Sequence, residues 1–474
     1  MAISKVARGA VLAVLSCALI CGCVSGNWPR ERKLAPADVP AERTLASAPF
    51  DTGEWPADAW WRAYGDPQLD ELIQQALAGS PSLEIAQARL RTAQAQVTAA
   101  RGARLPQTSL DAEIDRQRFP VDGLYPPPYA GNSFTEGRLA LDLSYEIDFW
   151  GLERQRLAAA RADARAARAD QAAARLALAV AVTKAYVQLD LWYNLRDVAR
   201  SNLEQQTAIR DLTQQRVTAG LENTARVKQS ESLLALTRAS VDEAQGSIDM
   251  AQNALAALAG QGPDRALSVQ RPHLTAPQRL SVPASLPADL LGRRPDIVAA
   301  RWRVEAASHG VKAAEAAFYP NVSLTAFAGV QSIGLDNLLE GPNRVMGAGP
   351  ALNLPVFNRD ALHGVLQAQQ AQYNQAVGEY NQTLIDSMHQ VADVVVGWRA
   401  LESETLEQQT AYDAAQRSYD LTQQRYGAGL DNYLSVLSSQ NQVLLTQALH
   451  AALIARRLNY SIDLIRALGG GYTG

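Results

Sequence analysis

Residues suited to bond-making chemistry are few and poorly placed for it. The three cysteines, Cys17, Cys21 and Cys23, all lie at the N-terminal end of the 474 residues. They leave neither an internal disulfide nor a cysteine metal cluster for the mature chain. The five histidines, His273, His309, His363, His389 and His450, are scattered without metal-ligand spacing, and no glycine-rich phosphate loop is present. Gly347-Ala348-Gly349-Pro350 falls in a strand-like segment and reads as small-residue packing. Arg154, Arg156, Arg161, Arg165 and Arg168 are interleaved with Asp163 and Asp170 and read as a solvated helix face. No catalytic residue, metal or cofactor is expected.

The one modification the sequence suggests is at the start. Lys5 and Arg8 precede a short apolar stretch, Gly9 to Ile20, so residues 1–22 read as a signal peptide. Ile20-Cys21-Gly22-Cys23 resembles a bacterial lipobox, which implies lipidation of Cys23 as the mature N-terminus. Gly22 favours Cys23 over Cys21, which follows the bulky Ile20. The alternatives are a plain signal peptide cut nearby or an uncleaved anchor. Val24 is not the aspartate that retains many such lipoproteins at the inner membrane, so outer-membrane sorting is expected. Without Lys5 and Arg8, 42 basic residues face 48 acidic ones, a net charge of −6 that excludes nucleic acid as a partner.

The elements that would carry any function are duplicated. LTQQRVTAGLEN at 212–223 returns as LTQQRYGAGLDN at 421–432, identical at nine of twelve positions with an offset of 209. SPSLEIAQARL from Ser80 echoes RPDIVAARWRV from Arg294 at an offset of 214. The chain therefore divides into an N-terminal tether and equatorial segment (23–66), repeat 1 (67–260), a proline-rich linker (261–287) and repeat 2 (288–470). Leu83, Ala86, Leu90, Ala93, Val97 and Ala100 form a heptad seam, as do Val377, Tyr380, Leu384, Ser387, Val391, Val394, Trp398 and Leu401. No proline interrupts Gly151 to Val217, a stretch that would reach about 100 Å as a helix. Glycine at 220 and 429 ends each long helix and asparagine at 223 and 432 starts the next. Two helical hairpins are expected, at about 151–260 and 358–468.

Four short segments alternate apolar and polar residues, at about 107–119, 135–149, 321–331 and 344–356. The last is the weakest, with Pro350 and Pro355 inside it. Each has the length of a tilted membrane strand. Beyond the signal no apolar run reaches the 18 or so residues of a transmembrane helix, so any crossing must use strands. Four strands cannot close alone, and open edges are not tolerated in hydrocarbon, so a cyclic homo-oligomer is expected.

These features together resemble the outer-membrane factors of tripartite efflux pumps, the TolC/OprM/NodT-type lipoproteins. WWRAYGDPQLDELIQQAL (Trp60 to Leu77), LSYEIDFWG (Leu143 to Gly151), RRPDI (Arg293 to Ile297), both tip motifs and ALGGG (Ala467 to Gly471) stand in that family's order. The resemblance implies an α+β, internally duplicated TolC-like fold. Three protomers would close a 12-stranded barrel in the outer membrane and an α-helical tunnel in the periplasm. It also implies a passive exit duct for drugs or other small toxic molecules. Its partners would be a periplasmic adaptor, an inner-membrane transporter of RND, MFS or ABC class, and outer-membrane lipid. A type I protein secretion duct and a non-conducting envelope scaffold are the alternatives. By the same resemblance, Ala219, Gly220, Leu221, Ala428, Gly429 and Leu430 would contact the adaptor, and Tyr426, Asp431, Leu434, Ser435 and Ser438 would form the gate. Ser435 and Ser438 stand where relatives carry acidic residues, which implies a gate less sensitive to multivalent cations.

Overall fold

The computed structural model describes residues 28–40, 43, 51–122, 124–277, 280–283, 292–355 and 357–473; Cys23 and the expected signal peptide lie outside these. In chain order the elements are β1 (Asp51–Thr52), α1 (Pro67–Gly79), α2 (Pro81–Gly102), β2 (Gln107–Arg118), β3 (Ser133–Ile147), α3 (Leu152–Thr218) and α4 (Thr224–Leu258). They continue with β4 (Ser281–Val282), α5 (Pro295–Ala316), β5 (Asn321–Ile333), β6 (Arg344–Asn353), α6 (Arg359–Gly427) and α7 (Tyr433–Ala467). Two compact units result. Of the described residues, one unit holds those up to Lys33 and within Leu90–Ala167 and Ala300–Tyr380, and the other those within Leu34–Arg89, Arg168–Ala299 and Asn381–Gly474.

The first unit is organised by an antiparallel sheet in the order β2-β3-β5-β6. Its register sorts the side chains. Leu110 lies opposite Leu141, which lies opposite Ala328, which lies opposite Met346. The alternation therefore runs in phase across all four strands, with one face apolar except at its loop end, where Arg116, Arg118 and Arg344 lie. Leu110, Ile114, Leu141, Leu324, Met346 and Leu352 on that face are all exposed. The other face carries Asp111, Glu113, Asp115, Glu136, Asp142 and Glu146 against Arg138, which pairs with Asp142 at 2.9 Å. Gly347 of the GAGP segment lies on this face, where a Cβ would meet the Phe327 ring at 2.7 Å. Strand β6 ends at Asn353, short of Pro355, and tolerates Pro350 because it pairs on one side only within the chain.

Local chemistry makes the strand-to-helix corners. After β3, the Asp148 carboxylate accepts the amides of Glu153 (3.2 Å) and Arg154 (2.8 Å), capping α3. Trp150 stacks on Tyr319 with ring centroids 4.5 Å apart, and its indole N–H donates to the Pro320 carbonyl. The LSYEIDFWG motif is thus a corner, not a longer strand. The arginine run on α3 is also less free than a solvated face: Arg156 pairs with Glu153, and Arg165 lies over Trp302 at 4.5 Å. In the tether, the Asn374 side chain accepts the Glu31 amide and donates to the Pro29 carbonyl.

The second unit has its core around α1, where Leu69, Leu72, Ile73 and Ala76 are fully buried together with Trp60, Trp61 and Tyr64. Asp66 caps α1 through the Gln68 amide and also accepts Tyr186 Oη at 2.7 Å and the His273 amide at 2.7 Å. The 261–287 linker differs from the irregular segment expected. It contains a helical turn at Pro263–Ser268, and Ser281–Val282 pairs in parallel with Asp51–Thr52. Between these it is tied along its length: Gln270 to Gln68, Arg271 to Asp197 and Asn194, Thr275 to Tyr64 and Pro277 to Arg457. A polar chain without a core of its own is ordered by satisfying its backbone on neighbours.

Both heptad seams coincide with burial. In α2 the seam residues are the least exposed of an otherwise exposed helix, and all eight seam residues of α6 are buried. An 18-residue window of α3 is apolar enough by composition to cross a bilayer, because alanine and valine accumulate there. Its Leu178, Val180, Val182 and Tyr186 belong to the core of the second unit instead.

Candidate functional site

The two tips are built alike. At the first, the Gly220 amide donates to the Val217 carbonyl (3.0 Å) and the Leu221 amide to Arg216 (2.9 Å). At the second, Gly429 donates to Tyr426 (3.0 Å) and Leu430 to Arg425 (2.8 Å). This double closure needs a left-handed residue, and Gly220 and Gly429 have φ of 73° and 77°. Asn223 then accepts the Arg226 amide and Asn432 the Ser435 amide, opening α4 and α7. Ala219, Gly220, Ala428 and Gly429 are exposed, and Leu221 and Leu430 present 66% and 70% of their surface. Large aliphatic side chains at such exposure are a pair of apolar contacts held on a rigid turn.

Each tip also has a staple that the repeat displayed but whose purpose was not legible. Arg216 Nε faces Glu222 at 3.9 Å, and Arg425 Nε faces Asp431 at 3.3 Å. The signal was the recurrence of arginine and, six residues on, an acid in both copies. Asp431 is fixed further by hydrogen bonds to Ser435 and the Asn432 amide, which with Arg425 hold its carboxyl below the usual range. Glu222 makes the corresponding pair in the first tip.

The remaining gate candidates do not form one cluster. Leu434 (53% exposed) and Ser438 are exposed in the single chain, and Ser435 is half-buried. Tyr426 is 2% exposed and packs with Ile209, Tyr419, Tyr433 and Val436, while the Arg216 guanidinium lies 4.9 Å from its ring centroid. In the single chain Tyr426 thus sits between the two hairpins, where a large ring gains from burial. Close by, the Gln206 side chain (4% exposed) donates a hydrogen bond to Gln440 Oε1 (1% exposed) at 3.0 Å, and Gln440 in turn donates to Asn202 and Gln205. Glutamine in a helical seam was the signal for this buried amide layer. Among the described residues no group of histidine, cysteine, aspartate or glutamate could hold a metal.

A sheet with one exposed apolar face and one acidic face, in a chain that also carries two long helical hairpins, is the pattern of an outer-membrane channel protein. The chain belongs to the outer membrane efflux protein family, whose profile matches residues 72–261 and 286–470. It is similar to the fusaric acid resistance protein FusA of Burkholderia cepacia, at 39% identity over 76% of this chain and 69% of that one. It is 30% identical to the multidrug resistance outer membrane protein MdtP of Escherichia coli over 96% of this chain and 95% of that one. Its fold matches the crystal structure of the outer membrane protein VceC from Vibrio cholerae with a TM-score of 0.83 and 37% identity. That match covers 88% of this chain and all of VceC. The protein is an efflux channel of the outer membrane with a TolC-like fold.

Proposed function

We propose that three copies close their sheets into one barrel of twelve strands, and that the hairpins of the same copies form the periplasmic part of the duct. The observation that carries this reading is the sheet itself: four in-phase strands with a continuous apolar face, and with β2 and β6 each paired on one side only. Lipid would cover the apolar face, and a neighbouring copy would satisfy each edge. The exposed Leu221 and Leu430 on their glycine turns support docking of a periplasmic adaptor at Ala219-Gly220-Leu221 and Ala428-Gly429-Leu430. An inner-membrane transporter of RND, MFS or ABC class would drive the cargo through that adaptor. Relatives named for fusaric acid and multidrug resistance support small toxic molecules as cargo. Tyr426, Leu434, Ser435 and Ser438 constitute the gate region, with Tyr426 as a latch against Arg216 and Asp431 as its turn staple. Cys23 carries the lipid. Gentle detergent extraction should yield a trimer that resists dodecyl sulfate and separates on heating; extraction as a monomer would overturn the assembly.

A further inference from the structure

We propose that the loop end of the sheet's apolar face binds the phosphate groups of a phosphorylated glycolipid in the outer leaflet of the outer membrane. The inference rests on the reading that this sheet spans that membrane.

The strand register places every charge on that face. Following the alternation through all four strands, the apolar side carries three charged residues, Arg116, Arg118 and Arg344, and no carboxylate. The six carboxylates are all on the opposite side. The three arginines are not scattered along the face: Arg116 and Arg118 end β2, and Arg344 begins β6, so all lie at the loop end. All three are exposed, and none of their guanidinium groups makes an ion pair or hydrogen bond among the described residues.

Depth fits the same assignment. From Ile147 to Gly137 the apolar side of β3 is unbroken, and at about 3.4 Å per residue and a tilt near 40° it spans about 26 Å of bilayer. Beyond Gly137 the face turns polar at Thr135, which is opposite Arg116, and at Ser133, which is opposite Arg118. A guanidinium is costly at the centre of a bilayer and nearly neutral at its interface, where phosphates lie. Arginine in particular suits phosphate because its planar fork donates two hydrogen bonds at once.

There is also a place for the lipid's body. A cleft of about 610 Å³ opens beside Arg116, walled on the loop side by Pro128, Tyr129 and Leu335, with Asp336 as its single carboxylate. Leu335 and Leu338 fold over Gly137, where a Cβ would meet them at 2.8 and 3.1 Å, and so extend apolar surface up to the arginines. An anionic head on an apolar body matches this combination, whereas a free anion would use the arginines alone.

Native mass spectrometry of the full-length, detergent-purified protein can test this with four probes: bisphosphorylated lipid A, its dephosphorylated form, phosphatidylglycerol and inorganic phosphate. The wild type should retain bisphosphorylated lipid A in preference to the other three. R116Q/R118Q/R344Q should bind it roughly tenfold more weakly, and D336N should bind it at least as tightly as the wild type. Undiminished retention by the triple variant, equal retention of the dephosphorylated lipid or phosphatidylglycerol, or full competition by inorganic phosphate would overturn the proposal. Conductance in a planar bilayer separates the two readings. A triple variant that conducts like the wild type has an intact barrel, so its loss of lipid is specific; a wild type that forms no barrel overturns the spanning reading on which the site rests.

Discussion

At the scale of single residues, the tip of the second hairpin separates two jobs that the sequence motif had merged. Asp431 and Arg425 staple the turn, as Glu222 and Arg216 do in the first hairpin, whereas Tyr426 holds the hairpins against each other. The Tyr426 ring does this through packing and its contact with Arg216, and its hydroxyl makes no hydrogen bond to protein. Tyr426→Phe should therefore leave channel closure unchanged, while Tyr426→Ala removes a buried ring worth about 3–5 kcal/mol and should raise the open fraction in single-channel recordings. An effect of the phenylalanine variant equal to that of alanine would contradict the packing account. Ser438 is exposed and uncharged, so three copies cannot make a ring of negative charge there. Block by multivalent cations should be weak in the wild type and strengthened in Ser438→Asp, and equal block of the two would remove the idea. Residues of this kind were named by resemblance, and their burial was not legible. A tyrosine next to a turn glycine reads the same whether it faces solvent or a neighbouring hairpin.

At the scale of elements, periodicity was informative where one face alone meets a neighbour. The seam from Leu83 to Ala100 matches the least exposed stripe of α2 residue by residue, and the alternation from Leu139 to Ile147 matches the apolar face of β3. Ends of elements were less legible. Phe149 continues the alternation of β3, yet Asp148 is drawn away to cap α3, so the strand stops at Ile147. The linker was illegible for a different reason: its partners, such as Asp66 for the His273 amide, are about two hundred residues away, and no local pattern encodes them. RRPDI shows the same long reach. Arg294 is 5% exposed, pairs with Asp296 at 2.6 Å, and reaches Gln390 and the Ala467 carbonyl, tying the start of α5 to α6 and α7. Asp296 is 41% exposed and can be hydrated, so the loss falls mainly on the Gln390 and Ala467 acceptors, and Arg294→Met should cost about 1–3 kcal/mol. Limited proteolysis should show faster cleavage near the chain's C-terminal end; wild-type resistance would show that the pair is dispensable.

At the scale of the whole molecule, the chain's character follows from what it lacks as much as from what it holds. Its polar chemistry lies on one sheet face, in buried amide layers and at two turns, an arrangement suited to lining and docking. The duplicated sequence was sufficient to foresee two hairpins and two strand pairs, while the single sheet joining β3 to β5 across the repeats emerges only from the structure. If this chain forms a conducting duct, purified protein added to a planar lipid bilayer should carry current. The account predicts discrete conductance steps that favour cations, because the sheet face opposite the apolar one carries six carboxylates against one arginine. A bilayer that stays silent with a correctly folded, detergent-stable protein would contradict it.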